Sequence, residues 1–132
     1  MDHNALPEKI TKILLVEDEP HVTELVTFFL EKRGFEVASV ADGTEVLNKV
    51  RSEKPHLIIL DIMIPKLNGF EVCSRLKSDP ELRLIPVLIL SALVQKNEIE
   101  MGIRMGADLY MTKPFQNTEL LHAIEKLLAK GS

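Results

Sequence analysis

Residues 13–34 read ILLVEDEPHVTELVTFFLEKRG, and the changes of pattern inside that stretch decide the fold. Ile13-Leu14-Leu15-Val16 is a solid aliphatic run, too short for a globular helix, and reads as a strand buried on both faces. Glu17-Asp18-Glu19 follows, without one apolar residue. Val22, Leu25, Val26, Phe29 and Leu30 then recur at helical spacing, which draws a single apolar stripe along an amphipathic helix, and Gly34 marks its stop. The stretch is one strand–helix unit with an acidic loop at the strand's carboxyl end.

The unit repeats along the chain. Leu57-Ile58-Ile59-Leu60 and Val87-Leu88-Ile89-Leu90 are further solid runs, and Pro86 sits at the first residue of its strand, where a missing N–H matters least. Phe35 to Val40 and Leu109 to Met111 are weaker strands, the second and the fifth. Val46, Leu47 and Val50 mark a helix after Asp42; Phe70, Cys73 and Leu76 mark another, and Ile99 and Ile103 a fourth. Leu120, Ile124, Leu127 and Leu128 make the last stripe, capped at Asn117 to within one position. Five such units with crossover-length connections give an α/β fold, a parallel sheet with helices on both faces. The domain is expected over residues 11–129, with a short extension over 1–10 and a tail or linker start over 130–132.

Composition agrees with this and excludes several functions. At 45% hydrophobic and 27% charged, the 132 residues are those of an ordinary globular domain, neither disordered nor collagen-like. A net charge of −4 does not suit a body that binds nucleic acid by neutralising phosphates. No apolar run approaches the roughly 20 residues of a membrane span, and Met1 to Lys12 lacks the apolar core of a signal peptide. One cysteine makes no disulfide framework and fits a reducing compartment, so a cytoplasmic location is expected.

In open parallel sheets, ligands bind beyond the carboxyl ends of the strands, where the strand order reverses. The residues just after the apolar runs are Glu17, Asp18 and Glu19, then Asp61, Ser91 and Lys113. Two carboxylates about 4 Å apart repel by roughly 4 kcal/mol at an effective dielectric near 20, so such a cluster protonates or holds a cation. An all-oxygen site open to water suits Mg²⁺, which keeps several waters and accepts a phosphate oxygen. A lysine and a hydroxyl facing that metal are further partners for a phosphoryl group, and an aspartate supplies a nucleophile.

The motifs Ile13-Leu14-Leu15-Val16-Glu17-Asp18-Glu19, Ile59-Leu60-Asp61-Ile62-Met63-Ile64-Pro65, Leu90-Ser91-Ala92 and Tyr110-Met111-Thr112-Lys113-Pro114-Phe115 resemble the receiver domains of two-component response regulators. The likeness covers about residues 11 to 129 and includes the spacing from Asp61 to Ser91 and on to Lys113. It implies a flavodoxin-like sheet in the order 2-1-3-4-5, with the acids at the switch point between strands one and three. It also implies that Asp61 accepts a phosphoryl group from the phosphohistidine of a sensor histidine kinase or a phosphotransfer protein. Asp18, Asp61 and the backbone carbonyl of Met63 are then the implied direct ligands of Mg²⁺, with Glu17 acting through a coordinated water. Ser91, the Ala92 backbone and Lys113 are implied to hold the phosphoryl oxygens, and Tyr110 to report the movement of the loop after strand four. A cis peptide at Lys113-Pro114 rests on the resemblance as well. The implied output is a changed surface around helix four, strand five and helix five, offered to a downstream effector or to a fused output domain outside this chain. Direct binding to nucleic acid or membrane is not expected.

Five positions stand out against the common pattern of that family. Glu17 replaces a frequent aspartate, and Asn68 stands where aspartate is usual before Gly69, although Asn caps a helix about as well. Met63 and Leu93 are apolar at two positions beside the site where polar groups orient hydrolytic water, so slow self-dephosphorylation is expected. Leu109 replaces an acid, which counts against the charged dimer face of one large DNA-binding subfamily. Residues 77–87 look more like stand-alone and cyclase-linked receivers.

Taken singly, each of these residues has a plainer reading. Acids before a helix complement its dipole, an aspartate after a strand is a turn residue, and a lysine is usually solvated. Tyr110 on an alternating strand is as readily a packed tyrosine as a switch. Cys73, Met101 and Met105 read as core or rim, and the four histidines show no metal-ligand spacing. Rival functions fare worse than the phosphorylation switch. A phosphohydrolase with its nucleophile after strand one needs an acid two positions on, where Pro20 stands, and an Asp-x-Asp metal pair fails at Met63. A flavin or nucleotide carrier needs a Gly- or Ser/Thr-rich loop where Glu17-Asp18-Glu19-Pro20 would repel phosphate. A receiver-like adaptor that binds partners without being phosphorylated is the remaining alternative.

Overall fold

The computed structural model describes residues 10–130; the expected extension over 1–10 lies outside them except for its last residue, and the tail over 130–132 except for its first. Five parallel strands run β1 Lys12–Val16, β2 Glu36–Val40, β3 Leu57–Leu60, β4 Val87–Ser91 and β5 Leu109–Thr112, in the order β2-β1-β3-β4-β5. The helices are α1 Pro20–Lys32, α2 Val46–Glu53, α3 Gly69–Ser78, α4 Lys96–Arg104 and α5 Asn117–Lys130, with a 3-10 turn over Gly43–Glu45 before α2. This is the flavodoxin-like, doubly wound arrangement.

Alternation along the strands builds two cores. Leu14, Val16, Ile58, Leu60 and Ile89 face one side, packed under α2 and α3 by Val46, Val50, Val72, Cys73 and Leu76. Ile13, Leu15, Leu57, Ile59, Leu88 and Leu90 face the other, under Val26 and Leu30 of α1 and Leu120, Ile124 and Leu127 of α5. Residues 13–16, 57–60 and 87–90 are all buried, because strands between two helical layers have no solvent face. Burying one such aliphatic side chain contributes about 1.5–3 kcal/mol, which explains why the polar side chains of the central strands, Lys12 and Ser91, stand only at strand ends.

Local chemistry sets the helix ends. Asp42 caps the 3-10 turn by accepting Thr44 N and Glu45 N, and Asn68 caps α3 by accepting Glu71 N at 3.1 Å. The cap of α5 is Gln116, within one position of Asn117: the Glu119 side chain reaches back to Gln116 N at 2.9 Å, and Leu120 N donates to Gln116 O. Helix α1 has Pro20 in its first turn, and its N-cap residue, Glu19, makes no side-chain cap hydrogen bond. Two expectations about burial need correction. Leu25, on the stripe of α1, is 61% exposed, and Ile103 of α4 is 50% exposed. Both lie at the margins of stripes whose centres the sheet covers and whose edges it does not reach. Among the described residues, no helix is long and apolar enough to cross a membrane.

Candidate functional site

Register brings the site together. β1 lies beside β3 with Val16 opposite Leu60, so the residues that follow, Glu17 with Asp18 and Asp61, emerge side by side. Their backbones continue the ladder: Asp61 N donates to Val16 O and Glu17 N to Val40 O. On the other side β4 pairs with β5, Ser91 lies opposite Thr112, and Lys113 N donates to Ser91 O at 2.8 Å. One sheet edge therefore holds Glu17, Asp18, Asp61, Ser91 and Lys113.

The side chains converge as well. The Lys113 ammonium donates to Glu17 Oε1 at 2.8 Å and to Asp61 Oδ2 at 3.1 Å. Glu17 Oε2 accepts Glu19 N at 3.1 Å, and Asp61 Oδ1 accepts Met63 N at 3.0 Å. Glu17 and Asp61 are buried, whereas Asp18 is exposed. Burial lifts the Glu17 pKa above the ordinary carboxylate value, against the pull of the Lys113 hydrogen bond. Burial also works against the Lys113 charge, but its hydrogen bonds to the two carboxylates prevail and hold its pKa above that of a free lysine.

Glu17, Asp18 and Asp61 each present an oxygen within 4.8 Å of the others, and these three form a group able to hold a metal ion. The donor set is carboxylate oxygen throughout, which fits a hard divalent cation. Among the described residues, Glu17 and Asp61 share the single ammonium of Lys113 as counter-charge, so an added cation would relieve a buried excess of negative charge.

The remaining predicted residues line the loops around this group. Ser91 is buried and its Oγ accepts Leu93 N at 3.3 Å, while Ala92 is exposed. Tyr110 is half-buried, and its hydroxyl donates to Leu93 O at 2.7 Å, so it is tied to the loop after β4. Burial raises its phenol pKa, opposed by a hydrogen bond with Ser91. The Met63 side chain is exposed beside Asp61, and the Lys113-Pro114 peptide is cis.

Sequence reasoning missed the supports beneath these loops. Gly69 N donates to Ile62 O at 2.9 Å, and a Cβ on Gly69 would lie 2.6 Å from Asp61 O, so α3 starts hard against the backbone that carries Asp61. Lys77 Nζ gathers Arg83 O, Ile85 O and Asp108 Oδ2, and that carboxylate also accepts Val87 N, which ties the start of β4 to the turn before β5. Neither belongs to a local motif: Gly69 shows only a helix start, and Lys77 only an exposed-looking lysine.

Comparison with known proteins follows the same geometry. Residues 13–125 match the family model of the response regulator receiver domain. The chain is 40% identical over 120 residues to the alkaline phosphatase synthesis transcriptional regulatory protein PhoP of Bacillus subtilis, covering 91% of this chain and 49% of that protein. It is 40% identical over 119 residues to the DNA-binding dual master transcriptional regulator RpaA of Synechocystis, covering 90% and 49%. The chain thus spans about half the length of the curated relatives it matches. Both relatives are named as transcriptional regulators, the second as DNA-binding. Among solved structures, the signal receiver domain of a histidine kinase from Syntrophus aciditrophicus superposes with a TM-score of 0.85 at 33% identity, over 91% of each chain. The BeF3-activated receiver domain of Klebsiella pneumoniae RstA gives 0.84 at 30% identity, over 89% of this chain and 98% of that one. With its strand order, its acid–lysine edge and these matches in agreement, the chain belongs to the response regulator receiver domain family and serves phosphorylation-dependent signalling.

Proposed function

We propose that Asp61 is the phosphoacceptor of this receiver and that the domain, residues 11–129, works as a switch in a two-component phosphorelay. The observation that carries the reading is the Lys113 ammonium held between Glu17 and Asp61 at the carboxyl ends of three strands. Asp18, Asp61 and the Met63 carbonyl would hold Mg²⁺ directly, with Glu17 reaching it through water. Bound there, the ion would offset negative charge on the carboxylate and on the transferring phosphoryl group.

The chain's own residues do the rest. A carboxylate oxygen of Asp61 attacks the phosphorus of a kinase or phosphotransfer phosphohistidine; the P–O bond forms as the P–N bond breaks, and the imidazole leaves. Lys113 moves from the bare carboxylate to a phosphoryl oxygen and keeps a negative partner throughout. Ser91 Oγ and the Ala92 N–H supply further donors. Phosphorylation replaces one carboxylate charge with nearly two, so these donors draw the loop after β4 inward, and Tyr110 follows through its bond to Leu93 O.

The domain is not an enzyme in the usual sense; it promotes only its own phosphoryl transfer and hydrolysis. Its output goes to an effector protein or to an output domain fused beyond this chain, through the surface of α4, β5 and α5. An acid-lined sheet edge and a net charge of −4 support assigning DNA contact to another part of such a regulator. We place the switch in the cytoplasm, where a lone buried thiol such as Cys73 stays reduced. The test is chemical: after treatment with a small phosphodonor and Mg²⁺, borohydride reduces the acyl phosphate to homoserine. Peptide mapping should find homoserine at position 61; homoserine at 18, or at 17 the 5-hydroxynorvaline that a glutamyl phosphate gives, contradicts the assignment.

A further inference from the structure

Glycine is a poor residue inside a helix, because folding removes more backbone freedom from it than from any other residue. Gly102 nevertheless lies within α4, and it is buried. The reason is space. A Cβ at position 102 would lie 2.8 Å from Tyr110 Cδ2, 2.9 Å from Tyr110 Cε2 and 2.9 Å from Ile89 Cδ1. Ile89 Cδ1 ends a flexible side chain and can swing away. The two tyrosine carbons belong to one edge of a rigid ring, so the whole ring has to leave. In its present seat that ring places its hydroxyl 2.7 Å from Leu93 O, and Leu93 N donates to Ser91 Oγ.

We propose that Gly102 is a positioning residue for the switch: by lacking a side chain it forms the seat for the Tyr110 ring, and through Tyr110 it holds the Ser91–Leu93 segment beside the phosphorylation site. The seat stands on packing alone, whereas its effect on phosphoryl uptake rests on the function proposed above. Gly102 touches none of the acids, so its influence on the reaction passes through Tyr110.

The chain contains one tyrosine and no tryptophan, so fluorescence excited at 280 nm reports Tyr110 directly. In Gly102→Ala, the acrylamide quenching constant of that emission should rise at least twofold as the ring moves into solvent. The thermal midpoint should fall in Gly102→Ala. In a Tyr110→Ala background, where no ring meets the new methyl group, the same change should raise it by restoring a good helix residue. Uptake of phosphoryl from a small phosphodonor should slow severalfold in Gly102→Ala, with Mg²⁺ affinity unchanged. Unchanged quenching, or a midpoint shift of the same sign in both backgrounds, would overturn the seat. A displaced ring with unaltered uptake would overturn the coupling to the site. A parent protein that takes up no phosphoryl group would refute the function proposed above, while the quenching and midpoint results would still decide the seat.

Discussion

Lys113 and Asp61 lie 52 residues apart in sequence, yet the Lys113 ammonium stands 3.1 Å from Asp61 Oδ2. The same ammonium is 2.8 Å from Glu17 Oε1, so one positive charge serves two buried carboxylates from neighbouring strands. That shortage of positive charge is the physical basis of the proposed site: it favours a divalent cation there and, in the function proposed above, leaves Asp61 free to act as the nucleophile.

Removing the ammonium tests the shortage. Lys113→Ala leaves Glu17 and Asp61 buried without it, and breaking a buried pair costs about 3–5 kcal/mol. Lys113 is partly open to water, so urea denaturation at pH 7 should show a loss at or below the low end of that range. Without the ammonium, burial leaves Glu17 holding its proton more tightly in the fold than in the unfolded chain. The loss should therefore shrink as pH falls through the carboxylate range, and added Mg²⁺ should recover part of it at pH 7.

Glu17 gives a prediction of opposite sign. Its pKa is raised by burial, so the folded state binds that proton more tightly than the unfolded state. A raised acid contributes stability below its unfolded pKa of about 4.3, and that contribution is lost as pH rises through the folded value. Glu17→Gln, uncharged throughout, should therefore be more stable than the parent at pH 7 without metal, with the advantage gone below pH 4. The same variant should bind Mg²⁺ about tenfold more weakly or worse, measured by titration calorimetry.

Cys73 is fully buried in the core beneath α3, and burial pushes its thiol pKa up to about 11. Labelling by a thiol reagent at pH 8 should proceed only through opening of the fold, and urea should accelerate it in step with unfolding. Since a free thiol titrates near about 8.5, stability should decline as pH rises from that value toward 11. Fast labelling in native buffer would contradict this burial.

Met63 is 57% exposed beside Asp61, and Leu93 borders the same loops; neither offers a polar atom in its side chain to orient a water with hydrogen bonds. The phosphorylated form should last minutes or longer, and Met63→Gln should shorten its life severalfold, read by the decay of the phosphorylated mass. A parent half-life of seconds would contradict the account.

The parts that were legible in the sequence are those where one physical demand acts alone. β1, β3 and β4 are buried on both faces and could only be solid aliphatic runs. β2 and β5 form the sheet edges, half-exposed, and their mixed composition blurs both pattern and boundary. Leu25 fits its stripe yet faces solvent, because helical spacing fixes a face but not how far the neighbouring α5 covers it. The acids, Ser91 and Lys113 were legible because strand ends place them by topology. Gly102 was not: a glycine between Ile99 and Ile103 signals only a weakened helix until the ring of Tyr110 is seen against it.

The most direct test of the central claim is intact mass after incubation with a small phosphodonor, with and without Mg²⁺, for the parent and for Asp61→Asn. The account predicts one added phosphoryl group in the parent, dependent on Mg²⁺, and none in Asp61→Asn. An adduct that persists in Asp61→Asn, or a parent that binds Mg²⁺ yet gains no phosphoryl group from donor or kinase, would contradict it.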